Sequence, residues 1–94
     1  MFEWDQAKNE ENLRKHGISF EEASLIWKSP VLTSADDRFH YGENRSLTLG
    51  MLYSLTVVLV AHTDRDGKVR LISARRATKT ERTRYERYLR ETLG

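Results

Sequence analysis

The residues with the most chemical potential lie between positions 70 and 88, in "RLISARRATKTERTRYERY". The stretch opens like a buried strand and closes like a helix. Arg75 and Arg76 sit where one hands over to the other. Cleaving RNA without a metal requires a base to take the 2′-hydroxyl proton, cations to stabilise the crowded phosphate, and an acid to protonate the leaving oxygen. Arginine suits the second task through two-pronged phosphate contact. Histidine suits the first or third, as does a tyrosine or lysine whose pKa is lowered by neighbouring arginines. This chain offers Arg75, Arg65, Arg76, His62, Tyr85 and Lys79 for these roles. Their spacing alone is not specific.

Each candidate also has a plain structural reading. Tyr85 shares a helical face with Tyr88 and Leu89, the stripe of a core-facing helix. His62 closes a strand, where a hydrogen-bonding or surface role is common. His16 precedes Gly17 at a helix end, where the dipole favours a positive group. "DDRFH" brings Asp36, Asp37 and His40 close together, but no third or fourth ligand accompanies them, so a metal site is not expected. No other cofactor is expected either: the chain has no glycine-rich phosphate cradle and no G-x-S-x-G elbow.

The elements that must position these groups follow from pattern. Residues 2–4 read as a short edge strand. Asp5 is an N-cap for the helix in "DQAKNEENLRKHG", with Gly17 as its C-cap. Ser19 and Glu22 form a capping box that starts a second helix through "SFEEASLIWK", which Pro30 ends. Residues 31–35 read as a strand, and residues 36–44 as a polar loop with interleaved aromatics. "RSLTLGMLY" alternates as a half-buried strand. "SLTVVLVAHT" is apolar on both faces and reads as a central strand. "DRDG" is a hairpin turn, followed by the strand "KVRLISARR". Thr78 and Glu81 form another capping box, with Thr80 as a competing N-cap, for a helix running to about residue 92. The order is β-α-α-β-β-β-β-α, an α+β arrangement with a mostly antiparallel sheet.

In the last hairpin, His62 lies beside the turn and Arg75 toward the opposite end, so the hairpin alone does not join them. Strand parity places Val69, Leu71, Ser73 and Arg75 on one face, and Arg70, Ile72, Ala74 and Arg76 on the other. One of the two arginines then falls on a covered side and needs a carboxylate partner, while the other projects from the open face.

The 94 residues bound this to one domain, 1–94, with one modest core and no room for a second. There are no cysteines, which fits a reducing, cytoplasmic setting. The N-terminus carries no signal-like pattern, and "LTVVLVA" is far too short to cross a membrane. Residues 1–44 hold five Lys/Arg and nine Asp/Glu, whereas residues 45–94 hold eleven and five. An acidic front and a basic back imply a dipolar surface, its basic half suited to phosphates or an acidic partner.

"FEWDQAKNEENLRKHGISFEEA", "YGENR" and "RLISARRATKTERTRYE" together resemble the BrnT-type toxins of type II toxin–antitoxin systems, over nearly the whole chain and in order. The patterns W-D-x-x-K-x-x-x-N-L-x-K-H-G and I-S-A-R-x-A carry the likeness. The resemblance implies a RelE-like fold with helices packed on one side of an antiparallel sheet. It implies a ribonuclease that slows translation and growth, and a cognate BrnA-type antitoxin with a DNA-binding domain. Through that antitoxin the pair would repress its own operon at operator DNA, in an assembly with two copies of each partner. The I-S-A-R match makes Arg75 the first catalytic candidate, followed by Arg65 and Tyr85, with His62 a candidate base. Arg76, Lys79 and Arg45 are candidate RNA contacts. The loop residues Phe39, His40 and Tyr41 suit stacking on bases. Lys15, His16 and Gly17 carry a family signature of structural character. Two competing readings are a non-catalytic module that only docks an acidic antitoxin, and a nucleic-acid-binding domain that leaves RNA intact.

Overall fold

The computed structural model describes residues 1–38 and 42–93. The proposed stacking residues Phe39, His40 and Tyr41, with the metal candidate His40 among them, lie outside the described residues. In chain order the elements are β1 (Phe2–Glu3), α1 (Gln6–His16), α2 (Phe20–Ala23), a 3₁₀ segment (Ser24–Lys28), β2 (Leu32–Ala35), β3 (Ser46–Leu52), β4 (Thr56–Arg65), β5 (Lys68–Arg76) and α3 (Lys79–Leu93). The strands form one sheet in the order β1-β5-β4-β3-β2. The β1–β5 pair is parallel and the other pairs are antiparallel, so this α+β domain has a mixed sheet.

Local chemistry sets the helix ends. The Asp5 carboxylate accepts from the Ala7 and Lys8 amides at 2.8 and 3.3 Å, and Gly17 closes α1 in the left-handed region at φ 72°. The Ser19–Glu22 capping box is present. The expected helix through Lys28 instead tightens to 3₁₀ after one turn. That winding aligns residues three apart, so Ala23 and Ile26 are both fully buried. Ile26 then rests on Gly50, where a Cβ would lie 2.8 Å from the Ile26 Cβ.

The sheet is covered on both faces, which corrects two expectations. Ile18, Phe20, Ala23, Ile26, Leu52, Val58, Val60, Leu71 and Ala74 pack under the first three helical segments. Leu49, Val57, Leu59 and Tyr85 form a second cluster under α3, joined by Leu47, Met51 and Leu89. The alternating residues of β4 divide between the two clusters. A strand apolar on both faces needs a cover on each, so the helices do not share one side and there are two small cores.

Strand parity on β5 is also corrected. Ala61 pairs with Ser73, but His62 pairs with Leu71, which leaves Ile72 without a partner in a bulge. Leu71 therefore returns to the face of Ala74, and both lie in the first core.

Helix α1 buries no apolar side chain; its buried residues are Asn9 and Asn12. The Asn9 Oδ1 accepts from the Phe20 amide at 2.7 Å, and its Nδ2 donates to Glu21 at 2.9 Å. Asn12 Nδ2 donates to the carbonyls of Ile18 and Ala74, both at 2.8 Å, and its Oδ1 accepts from the Ala74 amide at 3.0 Å. Losing these bonds leaves three buried backbone groups unpaired, each costing about 1–3 kcal/mol. We therefore expect Asn12→Ala to lower stability in urea melts by about 3 kcal/mol or more. An effect below about 1 kcal/mol would show that α1 is held by something other than this amide.

Candidate nucleic-acid interface

Helix α3 begins at a capping box. The Thr78 hydroxyl accepts from the Glu81 amide at 3.2 Å, and the Glu81 carboxylate accepts from the Thr78 amide at 2.8 Å. Thr78, not Thr80, is the cap. Both prongs of Arg75 also reach Glu81, at 2.9 and 3.0 Å. Hydrogen bonding from Arg75 leads the causes that lower the Glu81 pKa. Arg75 stands opposite Leu59, on the α3 side of the sheet. It is the arginine that needs a carboxylate on a covered face. Its fork is occupied, and it ties the end of β5 to the start of α3.

Arg76 pairs with Val58 in the ladder and remains exposed. Arg76 and Arg82 flank a shallow hollow of about 200 Å³ lined by Leu55, Thr56, Val57 and Ala77. Among the described residues, Arg76, Lys79 and Arg82 have no carboxylate partner within ion-pair distance. Arg84, Arg87 and Arg90 extend the exposed basic surface along α3. One wall of the hollow is the β3–β4 turn. Tyr53 and Ser54 both hold φ 56°, and Leu55 is 84% exposed. Non-glycine residues in this region are uncommon and favour a strained turn.

The other candidates do not converge there. Tyr85 is 1% exposed, and its hydroxyl donates to the Pro30 carbonyl at 2.7 Å. Burial raises its pKa, opposite to the lowered value expected beside arginines. Tyr85 is a core residue that pins α3 to the chain entering β2. His62 is 3% exposed, on the first face and toward the other end of β4. Its Nε2 lies 2.7 Å from the Thr48 hydroxyl and its Nδ1 lies 3.1 Å from Asp64. The ring meets Trp27 edge-on at 5.3 Å. The Thr48 hydroxyl is in turn 2.8 Å from that of Thr33. Burial is the largest cause lowering the His62 pKa, and Asp64 opposes it. This arrangement resembles a hydroxyl–imidazole–carboxylate triad, but Thr48 and His62 are both buried.

Arg65 and Arg45 share Glu43, at 3.5 and 3.4 Å. They lie at the sheet end far from Arg76, because Arg65 closes β4 whereas Arg76 pairs near its beginning. The buried Asp36 holds Arg38 in a two-pronged pair at 2.8 and 3.0 Å. No group of three or more potential metal ligands occurs among the described residues. Arg82 is not among the residues that the sequence singled out. The available signal was its position one turn into α3, close to Arg76.

The family model of the ribonuclease toxin BrnT of type II toxin–antitoxin systems matches residues 4–81. Among solved structures, the chain is similar to the crystal structure of the Brucella abortus ribonuclease toxin BrnT. The identity is 23% over 84% of this chain and 99% of that one, with a TM-score of 0.62. No curated protein matches.

The His62 surroundings set a pH dependence. Its folded pKa lies below the ordinary 6.5, so as pH falls through this range the unfolded chain binds more protons than the folded one. The stability from neutral His62 is therefore present above about pH 6.5 and is lost as pH falls toward the folded value. The melting temperature should fall between about pH 7 and about pH 5, and His62→Gln should flatten that slope. An equal slope in the variant would assign the acid sensitivity to other groups.

Proposed function

The chain belongs to the family of BrnT ribonuclease toxins of type II toxin–antitoxin systems, and from that membership we propose that it is a metal-independent endoribonuclease that inhibits translation and growth. The family match over residues 4–81 carries this reading. In it, the 2′-hydroxyl of RNA attacks the adjacent phosphorus, the bond to the 5′-oxygen breaks, and a 2′,3′-cyclic phosphate remains. Arg76, Arg82 and Lys79 supply cations unclaimed by carboxylates. Such cations bind phosphates in a salt-dependent manner. Arg75 acts by holding α3 and these residues in place.

A type II system implies an antitoxin partner. We assign that role to a BrnA-type antitoxin with a DNA-binding domain, which neutralises the toxin and represses the shared operon at operator DNA. A toxin dimer within a two-plus-two complex and a RelE-like fold belong to the same reading. No helix among the described residues is long and apolar enough to cross a membrane, and we place the activity in the cytoplasm, where its RNA is found.

One observation favours a second reading. Tyr85 and His62 are buried, and Arg75 is paired. A non-catalytic module working only within a repressor complex would need none of them to reach RNA.

Labelled RNA incubated with the purified chain in EDTA separates the two. Cleavage to cyclic phosphate ends is expected, with or without ribosomes. Arg76→Ala and Arg82→Ala should each weaken RNA binding and reduce the salt slope by about 0.7. Arg75→Ala should lose activity together with thermal stability; loss of activity at unchanged melting temperature would make Arg75 itself a substrate contact. RNA left intact in every condition would favour the repressor module.

A further inference from the structure

A second hollow of about 200 Å³ opens between α1 and β5, lined by Lys8, Glu11, Asn12, Lys15, His16, Ile72 and Ser73. We infer that this hollow is the RNA-cleaving centre, with His16 as the general base and Lys8 and Lys15 as the cations on the reacting phosphate. The inference rests on the ribonuclease reading above.

The family-like motif in α1 divides cleanly by what each residue does for the fold. Asp5 caps the helix, Asn12 holds it to the sheet, and Gly17 closes it. Lys8 and His16 have no role of that kind: both side chains are exposed and neither makes a hydrogen bond or ion pair among the described residues. Lys15 makes only a loose 3.9 Å contact with Glu11 across the helix surface. Helix electrostatics account for Lys15 and His16 in the last turn. They do not account for Lys8, which stands in the first turn, where the dipole disfavours a cation even with the Asp5 cap beside it. A residue that opposes its local setting marks a functional site more often than a structural one.

The floor of the hollow gives an independent sign. Ile72 is the residue left unpaired by the β5 bulge, and Ser73 follows it. Bulges are enriched beside active sites, where they re-aim side chains and end pairing. Ser73 and Arg76 are three residues apart on β5, or about 10 Å. A single strand held at Arg76 therefore has about 10 Å to cross, past the point where Asn12 meets Ala74, to reach the α1–β5 hollow.

The chemistry balances with these groups alone. The His16 imidazole takes the 2′-hydroxyl proton as the O2′–phosphorus bond forms. The phosphorus–O5′ bond breaks, and the Lys8 ammonium returns a proton to O5′. Lys15 and Lys8 face the non-bridging oxygens, and no oxidant or metal is consumed.

Single-turnover cleavage of a labelled RNA oligonucleotide in EDTA, with ribosomes absent and then present, tests this. His16→Ala and Lys8→Ala should each slow cleavage by about a hundredfold. Melting temperature should be unchanged, and RNA affinity should fall far less than the rate. His16→Gln should be as slow as His16→Ala, and added imidazole should restore part of the His16→Ala rate. Lys68→Gln, in the β4–β5 hairpin at the far end of the sheet, should cleave normally. Wild-type rates in both the His16 and Lys8 variants, with Arg76→Ala still impaired, would overturn this assignment and leave the ribonuclease reading standing. Intact RNA with the wild-type chain, with and without ribosomes, would overturn both together.

Discussion

The carboxamide of Asn12 gives and takes a hydrogen bond with the same residue, Ala74, as a neighbouring strand would, and donates once more to Ile18. Much of the molecule depends on that arrangement. Strand β1 covers β5 for only two residues, Val69 and Arg70. Beyond them the edge of β5 would present unpaired backbone groups, a hazard for edge-to-edge association. Asn12 meets this edge with a helix in place of a strand. The same amide fixes α1 against the sheet without an apolar stripe, and Asn9 fixes the start of α2 against α1. Because α1 stands on polar pegs, its flank is left free to carry charged residues over the bulge in β5.

The second face depends on a different polar contact. A chain of this size buries a modest fraction of its surface, and here that surface is split into two clusters. Neither has many members, so the orientation of α3 cannot rest on apolar packing alone. Tyr85 fixes the middle of the helix through Pro30, and the Arg75–Glu81 fork fixes its start. The fork is partly buried and also serves the capping box, so one carboxylate satisfies the helix terminus and the strand end together.

What the sequence made legible follows from how local each signal is. Asp5, Gly17, the Ser19–Glu22 box and the Thr78–Glu81 box act within a few residues, and each was readable. The two-sided apolar pattern of β4 was readable as well, yet its consequence, a helix on each face, depends on packing. The β5 bulge depends on the register of a partner strand, so parity alone placed Leu71 on the wrong side. Buried asparagines are invisible to hydrophobic periodicity, because they read as solvent-facing. For the site, residue type suggested His62 and Tyr85, but burial closes both to a large substrate. The partner of Arg75 was already in view as the acidic member of a capping box; its second role needed three dimensions.

The division of the arginines connects charge to function. The acidic front half of the chain is not simply opposite the basic back half. Glu3 lies near Lys68 and Arg70, and Glu43 near Arg45 and Arg65. Within the back half, Glu81 takes Arg75. These pairs compensate positive charge around the β4–β5 hairpin and at the root of α3. The surplus is therefore concentrated on Arg76, Arg82 and the outer face of α3, and at the flank of α1 through Lys8. Exposed ion pairs contribute little to stability, so their chief effect here is on the shape of the field. By cancelling charge where the strands turn, they leave the cations at the start of α3, Arg76, Lys79 and Arg82, as the part of the back half where a polyanion would be attracted most.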